Sequence, residues 1–308
     1  MKRIFNIFLF ISFLFLFIYL VRQDYIIPEV GNWSFLALSF ICLFAGFYVS
    51  TLSWKVALKS YGFIHTGSDA LLSHGLSVFA KYIPGKIWVI LGRAGYLSEG
   101  KSELKNRSFV SLKEQLIYMW TGFLVSSVPT IIFYRLQWIS ILVLLIIAGL
   151  TLFLFFEKIH TWILMILGKI FKKELEIPLV KFRHSLPMIG SVMLIWLCWT
   201  AGFYLFMLAF SETITPIMMF AFPLSVCFGL IAIILPGGLG LREGIIIGYL
   251  TLAGLDVENA TTISFLNRLW FISGEVFIFL LATVVRMVGA RSSQAANTRS
   301  GKSSQIQH

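Results

Sequence analysis

The sequence predicts an all-α polytopic membrane protein with six full spans and two broken, re-entrant segments. Hydrophobic residues make up 58% of its 308 residues, and mean hydropathy is +0.88, whereas soluble domains sit near roughly 45–50% apolar. Several apolar runs approach or exceed the roughly 20 residues that cross about 30 Å of hydrocarbon. Two of the apolar runs are interrupted by Pro-Gly and by charge. Alternating segments of about ten residues, the mark of a transmembrane β-barrel, are absent from the sequence.

The elements follow in order. Ile4–Val21 is apolar after Met1-Lys2-Arg3, too long for a typical signal-peptide core and without a small-x-small cleavage site, so it reads as a retained first span (4–21) with a cytoplasmic N-terminus. Trp33–Trp54 is the second span, with an interface Trp at each end. Residues 70–91 hold His74, Lys81, Pro84, Gly85 and Lys86 between basic flanks. If both flanks are cytoplasmic, the segment is a re-entrant hairpin; the alternative is a broken full span. Phe109–Tyr134 and Trp138–Phe156 are spans joined by a tight turn.

Glu157–His184 is the most basic loop, and within it Trp162–Phe171 predicts an interfacial helix. Residues 185–210 cross next. Thr215–Leu255 is the counterpart of the first broken segment: its flanks are acidic, and it breaks at Pro236–Gly244. Thr262–Arg286 is the last span. The membrane domain thus covers 1–290, and residues 291–308, rich in Ser, Gln and Asn, are expected to be a disordered cytoplasmic tail.

Charge supports this topology. The chain has 25 Lys and Arg against 14 Asp and Glu. Eighteen of the 25 fall in segments read as cytoplasmic: two at the start, two at 55–69, four at 93–108, six at 157–184 and four from Arg286 onward. Only Arg22 and Arg135 fall outside. This is the positive-inside bias. No loop is long enough for a soluble basic domain, so nucleic-acid binding is not expected. Cys42, Cys198 and Cys227 lie in apolar runs and read as small buried hydrophobes. His65, His74, His160 and His184 have neither metal nor triad spacing, so no metal, cofactor or catalytic set is expected.

The two broken segments share a Pro-Gly: Pro84-Gly85 enters from the cytoplasm and Pro236-Gly237 from outside. Paired interrupted segments of opposite orientation point to an inverted-repeat transporter. Chance recurrence is the competing reading in a chain with 24 Gly and 8 Pro. Helix breaks are expected at Pro84, Gly85, Pro236, Gly237, Gly238 and Gly240. A break exposes amide protons at a half-helix N-terminus, which favour anions. Gly240, Gly244 and Gly248 recur every four residues, which favours close helix packing.

The buried ionisable set holds Lys81, Lys86, Arg93, Lys113, Arg242 and Arg268 against Glu114, Glu243 and Glu275. Ser264, Arg268 and Glu275 fall within about 40° on one helix face. One reading pairs Arg242 with Glu243 and Arg268 with Glu275 as helix glue. The other takes the excess of cations as a missing anion, a lipid phosphate headgroup. In that reading Lys81, Lys86, Arg93, Arg242 and Arg268 bind the headgroup, with Glu243 and Glu275 as gate or counter-charge.

Lys81-Tyr82-Ile83-Pro84-Gly85-Lys86-Ile87-Trp88, then Gly92-Arg93, and far downstream Leu235-Pro236-Gly237-Gly238-Leu239-Gly240-Leu241-Arg242-Glu243-Gly244 resemble the membrane domain of lysylphosphatidylglycerol synthases, which also occurs alone in flippase-like proteins. The resemblance covers residues 5–290. It implies movement of an anionic or glycosylated lipid across the bacterial inner membrane, and partner enzymes of cell-envelope synthesis. The full synthases carry a soluble aminoacyl-transferase domain after the membrane part. Here polar residues alone follow the last span, so aminoacyl transfer is not expected. A membrane-embedded lipid transferase and a non-catalytic partner of a glycan-assembly enzyme are the alternatives.

Overall fold

A computed structural model describes residues 29–83, 87–135, 138–171, 182–232 and 236–304; from residue 290 onward it describes the backbone alone. The expected first span, 4–21, lies outside these residues, as do Pro84, Gly85 and Lys86. The described residues are helical, without strands. Ten α-helices follow: α1 (Trp33–Ser60), α2 (Gly67–Leu76), α3 (Ile87–Leu97), α4 (Lys101–Tyr134), α5 (Trp138–Phe155), α6 (Glu157–Phe171), α7 (Phe182–Leu208), α8 (Ala221–Ile231), α9 (Leu241–Leu252) and α10 (Val257–Ser304). Short 3-10 helices fill Val78–Tyr82, Pro216–Phe220 and Pro236–Gly238.

Five described helices are long and apolar enough to cross a membrane: Trp33–Ser60, Lys101–Ile132, Trp138–Phe155, Ser185–Leu208 and Val257–Gly289. They match five of the six expected spans, and the chain is a multi-pass helical membrane protein in this respect. The stretch Trp162–Phe171, expected to be an interfacial helix, lies in α6, a helix that begins at Glu157 and packs on α5. Trp162 and Met165 stay exposed, while His160 turns inward with its Nδ1 2.9 Å from the Phe153 carbonyl. Residues 291–304, expected to be a disordered tail, continue α10 as helix; no proline interrupts them.

Helix starts are set by side chains that take up the free amide protons of the first turn. Asn32 accepts from Ser34 and Phe35 at the head of α1. Thr66 and Asp69 form a reciprocal capping box on α2. Asp256 accepts from the Asn259 backbone and side-chain amides at 2.8 and 2.6 Å before α10. Those bonds hold its carboxyl below the usual carboxylate range.

In lipid, helix association is driven by close packing rather than by water exclusion, so small residues matter at contacts. α1 and α7 form the most extensive pair. A Cβ added to Gly46 would stand 2.3 Å from the Trp199 indole nitrogen. Gly274 of α10 likewise accepts the Phe47 ring, and Gly122 of α4 accepts Cys227 and Trp196. Trp199 sits at the hub, with ring centroids 4.9 Å from Phe47 and 5.1 Å from Phe271.

The Gly240, Gly244 and Gly248 stripe departs from expectation. A Cβ at any of the three would meet nothing within 4 Å. Among the described residues the stripe therefore makes no close packing contact, and Gly244 and Gly248 are exposed there. Packing glycines instead occur where a large ring crosses the helix axis, a property of the partner helix.

Candidate functional site

The two broken segments meet. The arms of each pack on one another, α2 against α3 and α8 against α9, and the Val78–Tyr82 turn touches the Pro236–Gly238 turn. Proline and glycine explain the second break locally. Gly237, Gly238 and Gly240 have φ of 59°, 73° and 81°, in the left-handed region that disfavours a Cβ. α9 then starts without a side-chain cap from Gly240. Instead Glu243 Oε2 reaches back to accept from the Gly240 N–H at 2.7 Å.

Arg268 of α10 ties the Pro236–Gly238 turn to the Val78–Tyr82 turn. Its Nη1 donates to the Gly237 carbonyl at 3.1 Å and lies 3.5 Å from Glu243 Oε1. Its guanidinium stands 5.9 Å from the Tyr82 ring centroid. A Cβ on Gly237 would lie 2.8 Å from both Arg268 Nη2 and the Tyr82 ring, so glycine is required there for space as well as for φ.

Below this clasp, Glu275 of α10 is fully buried. It accepts from Lys81 Nζ on one oxygen and from the Tyr82 hydroxyl, at 2.8 Å, on the other. Arg93 of α3 is equally committed. Its Nη1 lies 2.7 Å from Glu114 Oε2, an ion pair by distance whose N–H does not aim at the oxygen. Its Nε donates to Ser111 Oγ at 3.0 Å, and its plane lies 4.4 Å from the Trp54 ring centroid.

Arg242 differs. It is 7% exposed, and it has no carboxylate within ion-pair distance among the described residues. Its Nε and Nη2 are buried without a hydrogen-bond partner. Its stem threads between two glycines: a Cβ on Gly229 would stand 2.6 Å from Arg242 Cγ, and one on Gly238 3.1 Å from Cδ. Phe271 supplies a ring face 5.1 Å from the guanidinium carbon. The guanidinium fronts a cavity of about 390 Å³, within the usual range for small-ligand sites. The wall is mainly apolar. Lys81, Arg93, Glu114, Gln115 and Tyr118 reach it, and Ser50 and His74 reach it already bonded to one another at 2.9 Å.

The structure thus corrects the expected helix-glue pairs. Arg242–Glu243 and Arg268–Glu275 do not form among the described residues; Arg268–Glu243 and Lys81–Glu275 do. Adjacent helical residues point about 100° apart, and residues seven apart are two turns, roughly 10.5 Å, distant. Of the expected headgroup residues, Lys81, Arg93 and Arg242 line the cavity, and Arg268 braces the break beside it. Lys86 lies outside the described residues. Lys113, a buried cation with no hydrogen-bond partner on Nζ, lies 5.9 Å from the Phe153 ring and is not among the cavity-lining residues. Tyr82, Ser111 and Gly229 escaped sequence reasoning. Tyr82 carried a usable signal as the polar neighbour of Lys81; Gly229 carried none.

No family model matches the chain, and no curated protein matches it either.

Proposed function

We propose that this protein is a flippase-like lipid translocase that receives an anionic or glycosylated lipid headgroup in the cavity between its two broken segments. The observation that carries this reading is Arg242. A guanidinium buried without a counter-ion costs several kcal/mol. That cost is met when an anion enters the cavity it faces, a phosphate of a lipid headgroup above all. The resemblance of the Pro84-Gly85 and Pro236-Gly237 motifs to flippase-like membrane domains supports the same reading. The resemblance also implies the inner membrane as the location and cell-envelope enzymes as partners, and the positive-inside charge pattern supports cytoplasmic termini.

Transport is favoured over lipid-group transfer because Glu114, Glu243 and Glu275 are each committed to a cation. A general base needs a carboxylate free to take a proton. The mutual packing of the arms of each broken segment supports two re-entrant hairpins, and the basic flanks of one and acidic flanks of the other support entry from opposite faces, as in an inverted repeat.

Reconstitution tests the function. Wild-type protein in proteoliposomes equilibrates a tail-labelled anionic lipid across the bilayer, and Arg242→Ala slows exchange at least about tenfold, as expected for a lost charge-assisted contact. Exchange by the variant within twofold of wild type would overturn the reading. The first hairpin has its own check: single cysteines at Ser68 and Lys101 label from the same side of sealed vesicles, and labelling from opposite sides refutes it.

A further inference from the structure

Resting on the proposed lipid-anion site, we infer that Gln115 and Tyr118 of α4 form a hydroxyl-reading wall across the cavity, which makes the cargo an anionic headgroup that bears hydroxyls, a polyol or sugar. Both side chains line the cavity that Arg242 fronts. Neither the Gln115 amide nor the Tyr118 hydroxyl has a hydrogen-bond partner among the described residues, while Ser50, His74, Lys81, Arg93 and Glu114 on the same wall are bonded or ion-paired. The other uncharged residues that α4 presents to the cavity are apolar.

An amide and a phenol three residues apart share one helix face. Each offers an acceptor as well as a donor without net charge; a phosphodiester can only accept, whereas a hydroxyl meets both. An uncommitted polar group in a mainly apolar cavity is costly unless a ligand or water meets it.

The wall is rigid. The Tyr118 ring stacks on Trp196 with centroids 4.4 Å apart and meets Trp199 edge-on at 6.2 Å. Trp196 is itself fixed by its indole N–H, which donates to the Tyr118 carbonyl at 3.2 Å and to Thr121 Oγ1 at 3.1 Å. A hydroxyl placed by such a frame discriminates by geometry and loses little side-chain entropy on binding.

The test uses two lipids with the same acyl chains and the same single negative charge: phosphatidylglycerol, whose headgroup bears hydroxyls, and phosphatidylmethanol, whose headgroup bears none. Retention of each by the detergent-purified full chain is read by native mass spectrometry. The expected result is a preference of about tenfold for phosphatidylglycerol, the worth of two hydrogen bonds. Gln115→Leu with Tyr118→Phe brings the two lipids to parity and leaves phosphatidylmethanol retention unchanged. Tyr118→Phe alone removes one oxygen, keeps the stacking, and cuts the preference by about threefold. Equal retention by the wild-type chain overturns the inference, as does an equal loss of both lipids in Tyr118→Phe. Arg242→Ala releases both lipids. If it retains both with the preference intact, the lipid-anion reading fails and the hydroxyl wall stands.

Discussion

In the first broken segment and the end of its second arm, α3, every described cation meets a carboxylate from another helix: Lys81 meets Glu275 of α10, and Arg93 meets Glu114 of α4. In the second, Arg242 meets a phenyl ring and two glycines. The backbone differs in the same sense. Ile83, the last described residue before the first break, is extended at φ −79°. The second break runs through three glycines at positive φ. Among the described residues one segment is neutralised and braced; the other keeps a charge open to the cavity and a backbone that favours glycine. A membrane protein can hold an unpaired buried charge where most of its buried charges are satisfied, and the first segment's pairs belong to that majority.

This contrast breaks most sharply at its two arginines. Arg93→Ala strands Glu114 and lowers stability by about 3–5 kcal/mol. Arg242→Ala leaves no stranded partner and changes stability by less than about 1 kcal/mol, or raises it. Unfolding midpoints in detergent measure both, and equal losses would erase the distinction between the segments.

Tyr82→Phe comes next. It removes one of the two donors on Glu275, which costs about 1.5–3 kcal/mol for a bond to a charged group. Hydrogen exchange at 78–82 and 236–240 should rise together, because the same ring packs on Gly237. A rise at one turn only would separate the two breaks.

The smallest effect contrasts glycines. Gly229→Ala drives a methyl into the Arg242 stem and costs about 1–3 kcal/mol. Gly92→Ala, in the first segment, meets only the Ser77 side chain at 2.9 Å. The roughly 1 kcal/mol gained by replacing a helical glycine offsets that contact, so its unfolding midpoint stays near wild type.

Much of the frame was legible from residues alone. Trp33–Trp54 and Trp138–Phe156 are uninterrupted apolar runs, and helices occupy 33–60 and 138–155. The break at 236–240 was legible because proline and glycine act on their own backbone. The site was legible only in part. Arg242 stood out as a charge in apolar sequence, but so did Arg93, Lys113 and Arg268, and nothing local tells which of them meets a carboxylate. Even adjacency misled, since Glu243 turns to Arg268 and the Gly240 amide rather than to Arg242. The glycine stripe misled likewise, because whether a glycine packs is decided by the residue opposite.

Composition, apolar run length and the placement of proline and glycine by themselves determined a helical membrane protein, five of its described spans and the position of its second break. These follow from the chain's own hydropathy and its own φ and ψ, which need no partner. Tertiary structure alone decided that the Val78–Tyr82 turn touches the Pro236–Gly238 turn, that Glu275 belongs to Lys81 across 194 residues, and that Arg242 faces the cavity without a carboxylate among the described residues. Ion pairs and cavities are relations between helices. Which carboxylate reaches which cation is set by helix rotation and packing that one-dimensional spacing does not encode.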